Sequence, residues 1–152
     1  EGPGCYCYIN NVLRKFLETL GGNYTYVVVD NEAGLEHLSR HNTGRADFLF
    51  IVVEPTITSL RAAGRISDLS EELGLVVKNK ALIINRTGRM DDASDESLRK
   101  EREATGLEVA AEVPFDERLQ KAEIDKVPFM DLENNMISLQ AVDKLLEYIK
   151  SK

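Results

Sequence analysis

The 152-residue chain has 19 Lys and Arg residues against 26 Asp and Glu residues, which leaves a formal net charge of −7. This balance argues against a nucleic-acid-binding surface, because phosphate binding requires clustered cationic side chains. The composition, 43% hydrophobic and 30% charged, excludes disorder, and no apolar run reaches the ~18 to 20 residues of a membrane span. We therefore expect one globular domain in the cytoplasm, without membrane attachment.

The chain begins Glu1-Gly2-Pro3-Gly4-Cys5, without an initiator methionine. We expect it to be a fragment or a processed chain. From Ile9 to Leu20 the apolar residues recur at three- and four-residue steps, which predicts a helix. Gly21-Gly22 predicts its end, because glycine tolerates the left-handed conformation of a C-cap.

Four short apolar runs predict β-strands. They are residues 24–29, 48–53, 80–85 and a weaker run at 107–113 that Pro114 halts. The first three are apolar on both faces, which is typical of strands buried in a parallel sheet that helices cover.

Helical patterns alternate with these strands. One covers 60–73, a second 94–105 and a third 139–149, with Asn135 or Ser138 as the N-cap of the third. Gly74 and Gly106 are placed to end the first two. This alternation predicts an α/β fold: a doubly wound, mostly parallel sheet flanked by helices.

The only two cysteines stand two positions apart, as Cys5-Tyr6-Cys7. Such close spacing disfavours a disulfide between them. Two thiolates at this spacing can reach one metal ion, and a second copy across a two-fold axis can complete a four-sulfur site for zinc or nickel. The alternative is that both are ordinary small side chains near the start of a helix.

Polar residues follow the predicted strands at the edge where doubly wound sheets bind ligands. Asp30 ends the first strand and can hold magnesium, and Gly34 allows a phosphate to approach the backbone closely. The alternative is that Asp30 caps the next turn.

The next two strands carry further candidates for this edge. Asn85 and Arg86 follow one strand, and the amide of Asn85 can pair with the edge of a purine ring. The other strand is followed by a turn that can complete the pocket, formed by Pro114, Phe115, Asp116 and Glu117.

These segments together resemble the CooC-type accessory ATPases of nickel carbon monoxide dehydrogenase, in the MinD/ParA branch of P-loop NTPases. The resemblance covers nearly the whole chain. It rests on the Cys-x-Cys motif, on residues 30–37 (Asp-Asn-Glu-Ala-Gly-Leu-Glu-His), on 48–66 with Val-Glu-Pro-Thr at 53–56, on Ile-Asn-Arg at 84–86, and on Val-Pro-Phe-Asp at 113–116.

The resemblance implies a role for each candidate. Cys5 and Cys7 would bind nickel or zinc at the interface of a homodimer. Asp30 would lie near magnesium and Gly34 near the terminal phosphate of ATP. Asn85 and the backbone of residues 114–117 would contact adenine. ATP binding would drive dimerisation, and hydrolysis would be coupled to nickel insertion into carbon monoxide dehydrogenase, the client.

The family's phosphate loop, with its lysine, lies upstream of the cysteine motif, and this chain contains no such loop. We therefore expect residues 1–152 to be the C-terminal portion of a single P-loop NTPase-like domain, inactive as an ATPase alone. Two alternatives stay open: a MinD/ParA-type positioning ATPase, and a non-enzymatic α/β binding module. The mixed charges of residues 139–149 argue against a membrane-binding helix.

Overall fold

The structure is a computed structural model that describes residues 12, 15–16, 19–31, 45–88 and 96–152. The described residues divide into two compact units, one within 1–49 and 66–79 and the other within 50–65 and 80–152. The elements from residue 45 onward are β1 (Arg45–Val53), α1 (Ile57–Glu72), β2 (Val76–Thr87), α2 (Glu96–Ala104), β3 (Glu108–Pro114), α3 (Glu117–Ile124), a 3-10 turn (Phe129–Asp131) and α4 (Ile137–Ser151).

The three strands form one sheet in the order β1-β2-β3. Strands β2 and β3 run parallel, with Asn85 opposite Val113 and Thr87 opposite Pro114. Helix α1 joins β1 to β2, and α2 joins β2 to β3, as parallel neighbours require, because only a crossover returns the chain to the same end of the sheet. The predicted α/β fold with a parallel sheet and flanking helices is confirmed.

Among the described residues, the buried apolar side chains belong to the second unit. They come from the three strands, from α1 and α4 and from the residue before α4, and are Ile51, Val53, Leu60, Ala63, Ala81, Leu82, Ile84, Ala111, Met136 and Ala141. Leu82 is the largest of them with no exposed surface, so the middle strand lies at the centre of this core.

The helix ends agree with the sequence in part. Gly74 and Gly106 follow α1 and α2 with φ of 68° and 66°, which confirms both glycine stops. The predicted N-cap of α4 is wrong: Met136 occupies that position, without a side-chain cap hydrogen bond. Helix α3 was not predicted. No helix among the described residues is long and apolar enough to cross a membrane.

The predicted stop at Gly21-Gly22 is also wrong. Residues 19–23 are helical, and the Tyr24 amide still donates to the Leu20 carbonyl at 3.0 Å. Neither glycine adopts a positive φ, so both continue the right-handed helix, and the chain leaves it only after Asn23.

The predicted strand at 24–29 is absent. Residues 24–31 are irregular and exposed, and Val28 has 92% of its surface exposed. A strand requires a hydrogen-bonded neighbour, and the sheet of the described residues consists of β1, β2 and β3 alone. A run that is apolar on both faces therefore forms no buried strand at this position.

Candidate functional site

Strands β2 and β3 bring two groups of predicted site residues together. Because the strands run parallel, their carboxyl ends meet at one edge, where Asn85 lies opposite Val113. The Phe115 amide donates to the Thr87 carbonyl at 2.9 Å. This hydrogen bond extends the pairing past Pro114, so the turn after β3 is fixed beside the end of β2.

The side chain of Asn85 is half-buried at this edge. Its Oδ1 atom accepts a hydrogen bond from the Arg86 amide at 3.0 Å, which fixes the orientation of the carboxamide. A carboxamide presents an acceptor and a donor side by side. This pattern matches the exocyclic amine and the adjacent ring nitrogen of adenine.

Arg86 follows in the left-handed region, with φ of 59°. That conformation is unfavourable for a residue with a side chain, by about 1–2 kcal/mol. Two contacts hold it there: the amide contact with Asn85, and an ion pair of 3.0 Å between its Nη1 and Glu54 Oε1. Backbone strain of this kind concentrates at functional sites, and here it lies at the carboxyl edge of the sheet.

Asp116 is buried, with 7% of its surface exposed. Its Oδ1 accepts from the Arg118 amide at 3.0 Å and from the Leu119 amide at 3.4 Å, so it caps α3. Its Oδ2 accepts from the Ser138 amide at 3.3 Å and the Ser138 hydroxyl at 3.0 Å. Burial raises the pKa of Asp116, but the hydrogen bonds from Ser138, Arg118 and Leu119 outweigh it and hold the pKa below its ordinary value.

The other members of the turn differ in exposure. Pro114 and Phe115 are half-buried, so they can offer apolar surface to a flat ring. Glu117 is exposed in the first turn of α3, where its negative charge interacts favourably with the positive end of the helix dipole. It is therefore placed for solvent contact at the rim of the turn.

Of the remaining predicted residues, the structure describes only Asp30. Asp30 lies in the first unit, in the exposed irregular segment 24–31. Cys5, Cys7 and Gly34 lie outside the described residues. Asp30 supplies one carboxylate, a ligand type that suits magnesium. Within the described ranges, no group of three or more His, Cys, Asp or Glu residues could hold a metal ion.

Three residues of this region were not predicted. They are Glu54, which pairs with Arg86, Thr87, whose carbonyl holds the turn, and Ser138, which binds Asp116. Glu54 could have been predicted from the sequence, because it directly follows an apolar run just as Asp30 does. The contact of Ser138 spans 22 residues, and local sequence carries no sign of it.

Several known proteins are similar enough in sequence to this chain to be its homologues. An uncharacterized ATP-binding protein of Methanocaldococcus jannaschii is 31% identical over 100% of this chain and 59% of its own length. A second from the same organism is 35% identical over 97% of this chain and 55% of its own. The carbon monoxide dehydrogenase accessory protein CooC of Rhodospirillum rubrum is 31% identical over 80% and 44%.

The two Methanocaldococcus jannaschii relatives of this chain are thus ATP-binding proteins, and the septum site-determining protein MinD of Thermotoga maritima is a more distant relative, 25% identical over 84% of this chain and 48% of its own length. Solved structures agree in fold. A chain of the MinC:MinD cell division protein complex of Aquifex aeolicus superposes with a TM-score of 0.76 at 24% identity, over 94% of this chain and 60% of that one. MinD of Pyrococcus horikoshii, complexed with Mg-ADP, gives 0.69 at 21% identity, over 92% and 56%.

The chain spans 59% and 55% of the two archaeal relatives it matches. No protein-family model matches the sequence. The fold is that of MinD and ParA structures.

Proposed function

We propose that residues 1–152 are the C-terminal portion of a MinD/ParA-type ATPase domain, and that this portion binds the adenine base of ATP or ADP. The observation that carries the proposal is the juxtaposition of Asn85 with the turn after β3, fixed by the hydrogen bond of 2.9 Å from the Phe115 amide to the Thr87 carbonyl. The homologues, which are ATP-binding proteins, support it independently.

Each residue of the edge has a chemical role in this proposal. The carboxamide of Asn85 pairs with the exocyclic amine and a ring nitrogen of adenine. Arg86, next to Asn85 at the end of β2, is held in place by its ion pair with Glu54. Pro114 and Phe115 offer half-buried apolar surface and backbone polar groups to the ring. Asp30 and Gly34 would serve the magnesium ion and the terminal phosphate.

Calorimetric titration of the full-length protein with ADP and with GDP tests this proposal. We expect ADP to bind more tightly, because guanine carries a carbonyl oxygen where adenine carries the amine. Asn85→Ala should weaken ADP binding by about tenfold or more, since one bidentate amide–adenine pair contributes about 1–3 kcal/mol.

Asn79→Ala is the matched control. Asn79 is an amide on the same strand whose Nδ2 donates to the Asp47 carbonyl at 3.2 Å, and it lies away from the carboxyl end. We expect its replacement to leave ADP affinity unchanged. The proposal would be contradicted if Asn85→Ala bound ADP as tightly as the unsubstituted protein does, or if the unsubstituted protein were folded but bound no ADP.

We further propose that the parent protein inserts nickel into carbon monoxide dehydrogenase as a cytoplasmic homodimer. The Cys5-x-Cys7 pair and the 31% identity to CooC favour this role. The four thiolates of two copies would hold nickel or zinc, in the geometry that thiolate ligands favour for such ions. In this reading the metal ion is cargo for the client enzyme.

Native mass spectrometry with added nickel or zinc tests the metal role. One metal per two chains, lost in the Cys5→Ser and Cys7→Ser variants, is the expected result. Unchanged metal content and dimerisation in both variants would favour the second candidate, a MinD/ParA-type positioning ATPase, which the homology to MinD of Thermotoga maritima supports. Absence of both metal and nucleotide binding would leave a non-enzymatic α/β binding module.

A further inference from the structure

We propose that Asp116 is a positioning residue that links the base-binding turn to the N-terminus of helix α4. This inference rests on the proposed function, because it concerns the site that would hold adenine. It differs from a role as ligand: the side chain acts within the protein and leaves the contacts with the base to Asn85 and to the backbone of the turn.

The geometry places one carboxylate between two helix starts. Oδ1 accepts from the Arg118 and Leu119 amides of α3, and Oδ2 accepts from the amide and hydroxyl of Ser138 in the first turn of α4. The first amides of a helix have no partner within it. A single carboxylate therefore accepts hydrogen bonds from amides of both helices. Its negative charge also interacts favourably with the positive dipole end of each helix.

Burial makes this arrangement depend on every contact. Asp116 and Ser138 keep only 7% and 5% of their surface exposed. A buried carboxylate that loses its donors is left unpaired in a poorly solvated position, which is strongly unfavourable. The start of α4 and the start of α3 must therefore stay together for Asp116 to stay ionised.

The linkage to the site follows from the sequence. Asp116 comes directly after Phe115, whose amide ties the turn to Thr87, so any shift of Asp116 moves the turn beside Asn85. Binding of a base that orders this turn should therefore also stabilise the first turn of α4. By reciprocity, loosening of α4 at Ser138 should weaken binding of the base by the same factor.

Competition binding on the full-length protein tests the inference with two ligands, ADP and inorganic tripolyphosphate, which has no base. Asp116→Asn should weaken ADP binding by about tenfold, the equivalent of one lost charge-assisted hydrogen bond, and leave tripolyphosphate binding unchanged. Ser138→Ala, which keeps the backbone donor, should give a smaller loss of the same kind. A merely structural defect would instead weaken both ligands together.

Hydrogen exchange supplies a second readout, which does not rely on measured affinities. ADP should slow exchange of the backbone amides of residues 138–141 in the parent protein, and Asp116→Asn should abolish that protection. Glu123→Gln is the charge-matched control on α3, and we expect it to change neither affinity nor exchange. Thermal unfolding confirms that each variant is folded.

The outcomes separate the two proposals. A parent protein that binds no ADP overturns the proposed function and this inference with it. ADP binding that depends on Asn85 but leaves exchange at residues 138–141 unchanged, or equal losses of ADP and tripolyphosphate affinity in Asp116→Asn, overturns the role of Asp116 alone.

Discussion

The guanidinium of Arg86 lies 3.0 Å from the carboxylate of Glu54, and this ion pair joins the end of β2 to the end of β1. It spans 32 residues of sequence and holds a residue whose backbone is left-handed. The end of β2 that carries Asn85 is therefore fixed from both sides, by Glu54 after β1 and by the turn after β3.

A double-mutant cycle of Glu54→Gln and Arg86→Gln measures this pair. Both side chains are more than half exposed, so we expect a coupling of about 0.2–1 kcal/mol in the free energy of unfolding, which added salt reduces. Each variant should also weaken ADP binding severalfold. The exposed pair of Glu96 and Lys100 on α2 serves as control, because its removal should leave ADP affinity unchanged.

The left-handed backbone of Arg86 predicts that Gly is more stable than Ala at this position, the reverse of the usual order. At most positions Gly is less stable than Ala by roughly 0.5–1 kcal/mol. At a φ of 59° the order should reverse, since Ala retains the left-handed penalty of about 1–2 kcal/mol and Gly does not. Urea unfolding should thus find Arg86→Gly more stable than Arg86→Ala. The usual order would mean that residue 86 does not adopt a left-handed backbone conformation in solution.

Two apolar runs that were both predicted to be strands, residues 24–29 and 80–85, should respond differently to truncation. Leu82 is fully buried and Val28 is 92% exposed. We expect Leu82→Ala to lower the free energy of unfolding by about 2–5 kcal/mol, and Val28→Ala to change it by less than about 0.5 kcal/mol. Urea unfolding of both variants checks this, and a large loss in Val28→Ala would show that the segment is buried.

The same contrast explains how far the sequence predicts the fold. Runs such as 48–53 and 80–85 are strands in the structure, and both extend beyond the predicted limits, to Arg45–Val53 and Val76–Thr87. Residues 24–29 are also rich in β-branched and aromatic side chains, but they have no strand partner among the described residues. The residue types of a segment indicate that it can be buried in a sheet. Whether it pairs as a strand depends on segments that are distant in sequence.

The candidate site was predicted where a general rule of parallel sheets applies. The rule that ligands bind at carboxyl ends of strands identified Asn85, Arg86 and residues 114–117, and the structure brings these together. It could not identify Ser138, because the contact with Asp116 depends on how α4 packs. Ser138 was instead predicted as a possible N-cap of its own helix, a role that Met136 takes.

Acid should reveal the charge of Asp116. Its folded-state pKa lies below the ordinary value of 3.8, so its contribution to stability is complete above the unfolded-state pKa and is lost as the pH falls through the folded-state pKa. Asp116→Asn should lower the free energy of unfolding by about 1–3 kcal/mol near neutral pH. The difference between parent and variant should shrink below about pH 4. A constant difference across this range would mean that Asp116 is not ionised in the folded protein.

The far end of α4 holds a second carboxylate contact. Tyr148 donates its hydroxyl to Glu108 Oε2 at 2.9 Å, and Lys152 Nζ lies 2.7 Å from the same oxygen. Burial raises the pKa of the Tyr148 phenol, and the hydrogen bond and charge of Glu108 raise it further. Because the neutral phenol is the form that the fold favours, this contribution to stability is lost as the pH rises through the folded-state pKa.

Glu108→Gln should therefore lower the pKa of Tyr148 towards its ordinary value of 10.0, while burial keeps part of the increase. Ultraviolet absorbance of tyrosinate measures this titration, and the same scan of Tyr148→Phe identifies its component. Glu147→Gln removes an equal charge from the adjacent position of α4 and should leave the titration unchanged. Equal shifts in both variants would mean that net charge, and not the contact with Glu108, sets the pKa of Tyr148.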